Sequence, residues 1–134
     1  MIGSVHRFHG RSSLRFVFQR GQVVRGPNLS LRFIRNDRQQ SYRMAVVVSR
    51  KVSKSAVVRN RIRRRLYEIV RRAAPAITEP YDIVFTVFSD EPMRLSHGHL
   101  SALALGQLQK AGILSKQLVP EKHRDIVEGK ETDL

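Results

Sequence analysis

The chain has 134 residues, 41% of them hydrophobic, which is enough for one compact domain, and it has no cysteine, which excludes disulfides and thiolate metal sites. Lys and Arg number 25 against 11 Asp and Glu, which gives a formal net charge of +14. This excess favours a polyanionic partner, and nucleic acid more than a membrane surface, because the guanidinium group of arginine pairs with phosphate and stacks on bases.

The charge is unevenly distributed along the chain. Residues 120–134 hold more carboxylates than cations and almost no apolar pattern, so we expect a single domain over 1–119 followed by an acidic, flexible tail. No apolar stretch approaches the roughly 20 residues of a membrane span, and the N-terminus lacks the apolar core of a signal peptide. We therefore expect a cytoplasmic protein without a membrane partner.

The first half of the chain predicts one helix and two strands. The helix begins at Ser12 or Ser13, either of which can cap it, and ends at Gly21. After a turn at 26–28, apolar and polar residues alternate along 29–34 and again along 42–48, the period of strands with one face in the core. Because only a short polar link separates these strands, we expect an antiparallel hairpin.

The second half predicts a long helix, an interior strand and a final helix. The long helix covers about 55–74 and is stopped by Pro75. The stretch 81–88 is apolar on both faces, which is typical of an interior strand. Ser96 caps the last helix, in which four leucines supply apolar contacts. The succession predicts an α+β or α/β sandwich, in which helices cover a small sheet. The four leucines are Leu100, Leu103, Leu105 and Leu108.

The long helix has two chemically distinct faces. At about 100° per residue, its apolar side chains fall in an arc of about 120° that should pack on the sheet. Outside this arc nearly every residue is cationic or polar, and Glu68 is the only acid. Arg59 lies close to the apolar arc, but in the first turn it can project past the end of the buried stripe. The apolar residues are Val58, Ile62, Leu66, Ile69, Val70 and Ala73.

The cations of this helix and of the loop before it are poorly compensated. Ten of them lie between residues 50 and 72 against one carboxylate, so few i,i+4 ion pairs can form. Several are near the start of the helix, where the macrodipole disfavours positive charge. An ordinary solvated face mixes both signs of charge, so we predict a surface that binds a polyanion.

The basic segment resembles one known family, the protein component of bacterial ribonuclease P. Ser49-Arg50-Lys51 is similar to the Ser-Lys-Lys stretch of that family. Arg59-Asn60-Arg61, followed by Ile62-Arg63-Arg64-Arg65, is similar to its RNR motif. The helix that ends at Gly21 and the strand Tyr81-Asp82-Ile83-Val84 also have counterparts in the family, in the same order.

The resemblance covers about residues 7–116, with three departures. The loop 52–55 lacks the glycine that members often have there. Leu14 stands where an aromatic residue is frequent, and Tyr67 stands where a basic residue is frequent.

The resemblance implies both a fold and a function. The fold is an α+β sandwich of order αβββαβα, with a mixed four-stranded sheet and an unusual left-handed crossover between parallel strands. The function is that of a subunit that binds the catalytic RNA of ribonuclease P and the 5′ leader of precursor tRNA, and so assists endonucleolytic removal of the leader. Cleavage and its Mg²⁺ are expected at the active site of the RNA, with no catalytic residue and no metal on the protein.

Two sets of RNA-binding residues follow from the resemblance. The leader is expected on the sheet face opposite the core, near Phe18, Arg32 and Leu14, because an exposed aromatic ring stacks on bases of any sequence. Ser30 is expected on the same face. Core packing of Phe18 and simple solvation of Arg32 stay open. The residues expected to contact the catalytic RNA are Arg50, Lys51, Lys54, Arg59, Asn60, Arg61, Arg63, Arg64 and Arg65.

Other functions of a basic protein fit the sequence less well. A ribosomal or ribosome-assembly protein would not need the full motif with its neighbouring strands. A DNA-binding module would read bases, whereas densely placed arginines favour phosphate contact, so DNA is not expected. An RNA-cleaving enzyme acting alone would need clustered carboxylates or histidines, yet the six acids between residues 37 and 91 are scattered. The pairs His6 and His9, and His97 and His99, are expected to face solvent or phosphate.

Overall fold

A computed structural model describes residues 11–114 of the chain, so the predicted acidic tail at 120–134 lies outside the described residues. Within the described part, no helix combines the length and the apolar content needed to cross a bilayer. The elements are α1 (Arg11–Arg20), β1 (Gln22–Val24), β2 (Leu29–Arg35), β3 (Arg43–Val48), α2 (Ala56–Ala73), a 3₁₀ turn (Ala74–Ala76), β4 (Tyr81–Val87), α3 (Glu91–Arg94) and α4 (His97–Lys110).

The four strands form one mixed sheet in the order β1-β2-β4-β3. The predicted hairpin between the second and third strands is therefore wrong, since β4 lies between them, antiparallel to β2 and parallel to β3. Ile83 of β4 is opposite Phe33 on one side and Met44 on the other. A strand that is apolar on both faces is most stable in the middle of the sheet, where helices can cover both faces, and this outweighs the short link between β2 and β3.

The parallel pair β3 and β4 requires a crossover connection, and α2 supplies it. Its left-handed sense stays a prediction of the family resemblance. The short strand β1, with three residues, was too short to show a period but completes the αβββαβα order. The short helix α3 is an addition that the sequence did not predict.

The main core lies between one face of the sheet and the helices α2 and α4. On α2, Ile62, Leu66, Ile69 and Val70 are buried, while Val58 and Ala73 pack against the core from its edge. The predicted apolar arc is thus confirmed. The predicted leucines of α4 are also in place, with Leu103 only partly buried.

Helix α1 covers the opposite face of the sheet. Val17 of α1 and Val84 of β4 are both fully buried, but neither belongs to the main core. Val84 alternates with the core residues Ile83 and Phe85 and so points to the other face. Helix α1 includes Arg11, so Ser12 and Ser13 lie within the helix and the prediction that one of them caps it is wrong. Gly21 ends α1 as predicted, because a Cβ there would lie 2.5 Å from the carbonyl oxygen of Val17 and 3.0 Å from that of Phe33.

A buried ion pair joins β3 to β4 at the edge where both strands begin. Asp82, with 2% of its side chain exposed, accepts hydrogen bonds from Nε and Nη2 of Arg43 at 3.0 and 2.9 Å. Asn36, just after β2, donates to the same carboxylate at 2.9 Å. Three strands are therefore tied together by one carboxylate.

We predict that Arg43→Ala lowers the free energy of unfolding by about 3–5 kcal/mol, because it leaves the buried carboxylate of Asp82 without its counter-ion. Arg94→Ala is the matched control, since Arg94 pairs with Asp90 and Glu91 in exposed positions, and its loss should change stability little. Urea denaturation of both variants measures the difference. Equal midpoints would contradict a stabilising role for the Arg43–Asp82 pair.

Candidate nucleic-acid interface

The loop between β3 and α2 and the first turns of α2 bring the predicted RNA-binding residues together. Ser55 caps α2, since its hydroxyl oxygen accepts a hydrogen bond from the backbone N–H of Val58 at 3.3 Å. The first turn contains no acid. Free backbone N–H groups and arginine side chains therefore combine at this end of α2, which makes it attractive to phosphate.

Arginine ion pairs involve every carboxylate within residues 11–114. Asp37 and Glu79 pair with Arg35, Glu68 with Arg71 and Arg72, Asp82 with Arg43, and Asp90 and Glu91 with Arg94. In the same part of the chain, eight cations of the loop and α2 have no carboxylate within 4.0 Å; one of them, Arg65, is held by backbone carbonyls instead, which leaves seven. We call these residues the basic surface: Arg50, Lys51, Lys54, Arg59, Arg61, Arg63 and Arg64.

The most accessible part of the basic surface is a ridge along α2. Asn60, Arg61 and Arg64 are exposed, as are the loop cations Arg50 and Lys51. On a helix, residues three and four apart are neighbours, so Asn60 and Arg64 form one row with Arg61 beside it. The geometry suits contact with several phosphates of one polyanion.

Arg59 and Arg63 lie on the flank of α2 that faces the loop and are partly buried. Nη1 of Arg59 donates to the carbonyl oxygen of Ser53 at 2.9 Å, so this side chain projects past the start of the buried stripe, as predicted. Nη1 of Arg63 donates to Oδ1 of Asn60 at 2.8 Å. A guanidinium group has five N–H donors, so both side chains retain donors while their positions are fixed.

Arg65 is on the other flank of α2 and is held by backbone carbonyls. Nη1 donates to the oxygens of Pro92 and Met93 at 2.5 and 3.0 Å, and Nη2 donates to that of Leu95 at 2.5 Å. RNA contact by Arg65 stays a prediction, but the geometry gives it a structural role that the sequence reasoning missed. The sequence does indicate partial burial of Arg65, because on a helical wheel it lies within about 20° of Val58, at the edge of the apolar arc.

Beyond Arg65, the cations of α2 are paired with Glu68 and do not belong to the basic surface. Glu68 receives hydrogen bonds from Nε and Nη2 of Arg71, and this pairing lowers the pKa of Glu68 to about 2. Glu68 is therefore ionised at any physiological pH and neutralises part of the positive charge of Arg71 and Arg72. On α2 itself, the exposed cations without acidic partners therefore lie in the first half of the helix, next to the cations of the preceding loop.

The residues predicted to bind the leader meet beside α1. The guanidinium carbon of Arg32 lies 5.0 Å from the ring centroid of Phe18, and its Nη1 donates to the backbone oxygen of Phe18 at 3.3 Å. Phe18 is 37% exposed, which excludes the alternative that it is a core residue. Leu14, one turn earlier, is partly buried. Ser30 is only 4% exposed and presents little surface to a ligand.

The histidines and carboxylates of the described part do not converge on a metal site. His97 and His99 are exposed on the first turn of α4, and Nε2 of His97 is 3.5 Å from the hydroxyl of Ser101. No group of three or more His, Cys, Asp or Glu within residues 11–114 is arranged to hold a metal ion. His6 and His9 lie outside the described residues.

Comparison with known proteins gives a consistent result. The family described as Ribonuclease P matches residues 3–99. The ribonuclease P protein component of Pseudanabaena sp. is 36% identical over 87 residues, which are 65% of this chain and 75% of that protein. That of Chloroflexus aggregans is 31% identical over 110 residues, which are 82% of this chain and 80% of that protein.

Two solved structures share the fold. The RNase P protein of Staphylococcus aureus superimposes with a TM-score of 0.73 at 18% identity, covering 82% of this chain and 98% of that one. The RNase P protein of Thermotoga maritima gives a TM-score of 0.70 at 24% identity, covering 78% and 96%. At these identities the similarity establishes the architecture, which agrees with the α+β sandwich predicted from the sequence.

We predict that Arg65→Ala lowers the free energy of unfolding by about 2–3 kcal/mol, because three charge-assisted hydrogen bonds to carbonyls are lost. Arg64→Ala, one residue away on the exposed ridge, should leave stability nearly unchanged. Denaturant unfolding of the two variants gives the comparison. Similar stability for both would show that the contacts of Arg65 contribute little.

Proposed function

Because the chain belongs to the ribonuclease P protein family, we propose that it is the protein subunit of a ribonuclease P that matures the 5′ end of tRNA. In this proposal it binds the catalytic RNA through the basic surface and the 5′ leader of precursor tRNA beside α1, from its expected location in the cytoplasm. The observation that carries the proposal is the unpaired basic surface, in a protein whose described carboxylates are all paired with arginine elsewhere.

The basic surface supports binding to a structured RNA. Its cations differ in mobility, since Arg59 and Arg63 are fixed by hydrogen bonds to the loop and to Asn60, whereas Arg61 and Arg64 are free to adjust. Fixed donors can hold the orientation of the protein on the RNA, while mobile ones can follow its backbone. Phosphate and sugar contacts of this kind determine register and affinity without reading sequence.

The pair Phe18 and Arg32 supports binding of a single-stranded leader. An exposed ring with a guanidinium group over it offers a base both a stacking surface and a cation for the adjoining phosphate. Stacking tolerates any base, as a subunit serving many different precursors requires.

The cleavage chemistry is proposed to belong to the RNA, together with its Mg²⁺. A protein-held Mg²⁺ would need carboxylate oxygens that are free to coordinate it, and each carboxylate within residues 11–114 already lies within 4.0 Å of an arginine nitrogen. What these residues can supply is positive charge, which lowers the repulsion between two RNA molecules. No observation favours the alternative of a ribosomal or ribosome-assembly protein.

The test is reconstitution of precursor-tRNA cleavage with the cognate catalytic RNA at low Mg²⁺, with and without this protein. We expect the protein to stimulate cleavage strongly, because it replaces part of the screening that Mg²⁺ provides. Precursors with a leader should be bound more tightly than mature tRNA. No stimulation at any Mg²⁺ concentration would contradict the proposal.

Removal of two ridge cations tests which surface contacts the catalytic RNA. We predict that Arg61→Ala combined with Arg64→Ala weakens binding and flattens its log–log salt dependence by about one unit per lost phosphate contact, thus by about two. The matched control is Arg71→Ala combined with Arg72→Ala, which removes the same charge from the same helix where Glu68 already neutralises part of it. Filter binding over a range of salt concentrations measures both, and equal slopes for the two variants would place the interface elsewhere.

A further inference from the structure

A depression of about 330 Å³ lies beside α1 on the flank away from Phe18. This volume is within the range of small-ligand sites, roughly 300–1,000 Å³. We call it the Phe16 cavity. It is lined by Ser13, Phe16, Asn36, Arg38, Arg43 and Asp82.

The position of Phe16 on α1 separates this cavity from the leader site proposed above. Phe16 and Phe18 are two residues apart and so project about 200° from each other around the helix axis. Val17 lies between them, fully buried against the sheet. Helix α1 therefore presents one exposed ring on each flank, Phe16 at 43% exposure and Phe18 at 37%.

The floor of the Phe16 cavity is polar and electrically balanced. Both carboxylate oxygens of Asp82 accept hydrogen bonds from Arg43, and one also accepts from Asn36. Arg43 compensates the negative charge of Asp82, so the floor offers fixed polar groups without repelling an anion. An apolar ligand would leave these polar groups without water, which is unfavourable.

The rim of the cavity carries an additional cation. Arg38 is exposed and has no carboxylate within 4.0 Å in the described part of the chain. Its backbone N–H donates to Oδ1 of Asn36 at 3.1 Å, which fixes the link between β2 and β3 at this point. An aromatic wall, a polar floor and a cationic rim match the three parts of a nucleotide: the face of the base, its edge and its phosphate.

We propose that the Phe16 cavity is a second base-binding subsite for single-stranded RNA, occupied by the distal part of the precursor leader after it leaves Phe18. Phe16 stacks on the base, Ser13 and Asn36 meet its edge, and Arg38 contacts the phosphate. The strand has to pass α1, a width of about 10–12 Å including side chains. On this path it meets Arg15 and no acid, since α1 contains none. The inference rests on the proposed function, because it assumes that a leader reaches α1.

The test uses the reconstituted holoenzyme and precursor tRNAs with leaders of about 4 and about 12 nucleotides. We expect Phe16→Ala to weaken binding of the long-leader substrate by about 5- to 100-fold, the effect of losing one stacked base, and to leave the short-leader substrate unchanged. Phe16→Tyr should restore binding. Phe18→Ala, by contrast, should weaken both substrates.

A second variant keeps the test decisive if Phe16→Ala does not fold. Arg38→Gln removes only an exposed charge, so the fold should be retained, and it should reduce long-leader binding and its salt dependence alone. Two results would overturn the subsite, provided that Phe18→Ala still weakens binding. In one, Phe16→Ala and Arg38→Gln weaken binding of the long-leader and short-leader substrates equally; in the other, they weaken binding of neither. A wild-type protein that shows no leader-dependent binding at any length would overturn the proposed function itself, which is a different result.

Discussion

The burial of one apolar stripe on α2 is the constraint on which the rest of the molecule depends. Ile62, Leu66, Ile69 and Val70 are at most 2% exposed, and burial of four such side chains stabilises the fold by on the order of 10 kcal/mol. The unfavourable effect of the macrodipole on cations at the start of α2 is only a few tenths of a kcal/mol each. Hydrophobic burial therefore fixes the rotation of α2, and the ridge of Asn60, Arg61 and Arg64 must face outward.

Ion pairing then decides which cations remain available to a polyanionic partner. Carboxylates are few, and within residues 11–114 each is placed beside an arginine outside the first half of α2. Arg43 and Asp82 hold the sheet together from inside, while Glu68 limits the basic surface on α2 itself. Arg65 shows a third use of arginine, the fixing of a neighbouring segment through its carbonyl groups. Arginine residues thus have different roles, which follow from their positions in the fold.

Most features that depend on neighbouring residues were predicted correctly from the sequence. The pairing of strands that are far apart in the chain was not. The cap at Ser96, the stop at Gly21 and the apolar arc of α2 all follow from neighbouring residues. The pairing of the second and third strands failed because it depends on β4, which is more than thirty residues further along the chain. The sequence did not predict the structural role of Arg65, because its partners lie in and just after the short helix α3, which is too short to show a periodic pattern.

The proposed contact between the first half of α2 and the catalytic RNA can be tested by site-specific crosslinking. The chain has no cysteine, so a single cysteine can carry a photo-crosslinking reagent without a competing site. Asn60→Cys places it on the ridge, and Thr78→Cys places it at an uncharged position that is also exposed, beyond the other end of the helix. We predict a high yield of crosslinks to the catalytic RNA from position 60 and a low yield from position 78. Equal yields, or a higher yield from position 78, would contradict it.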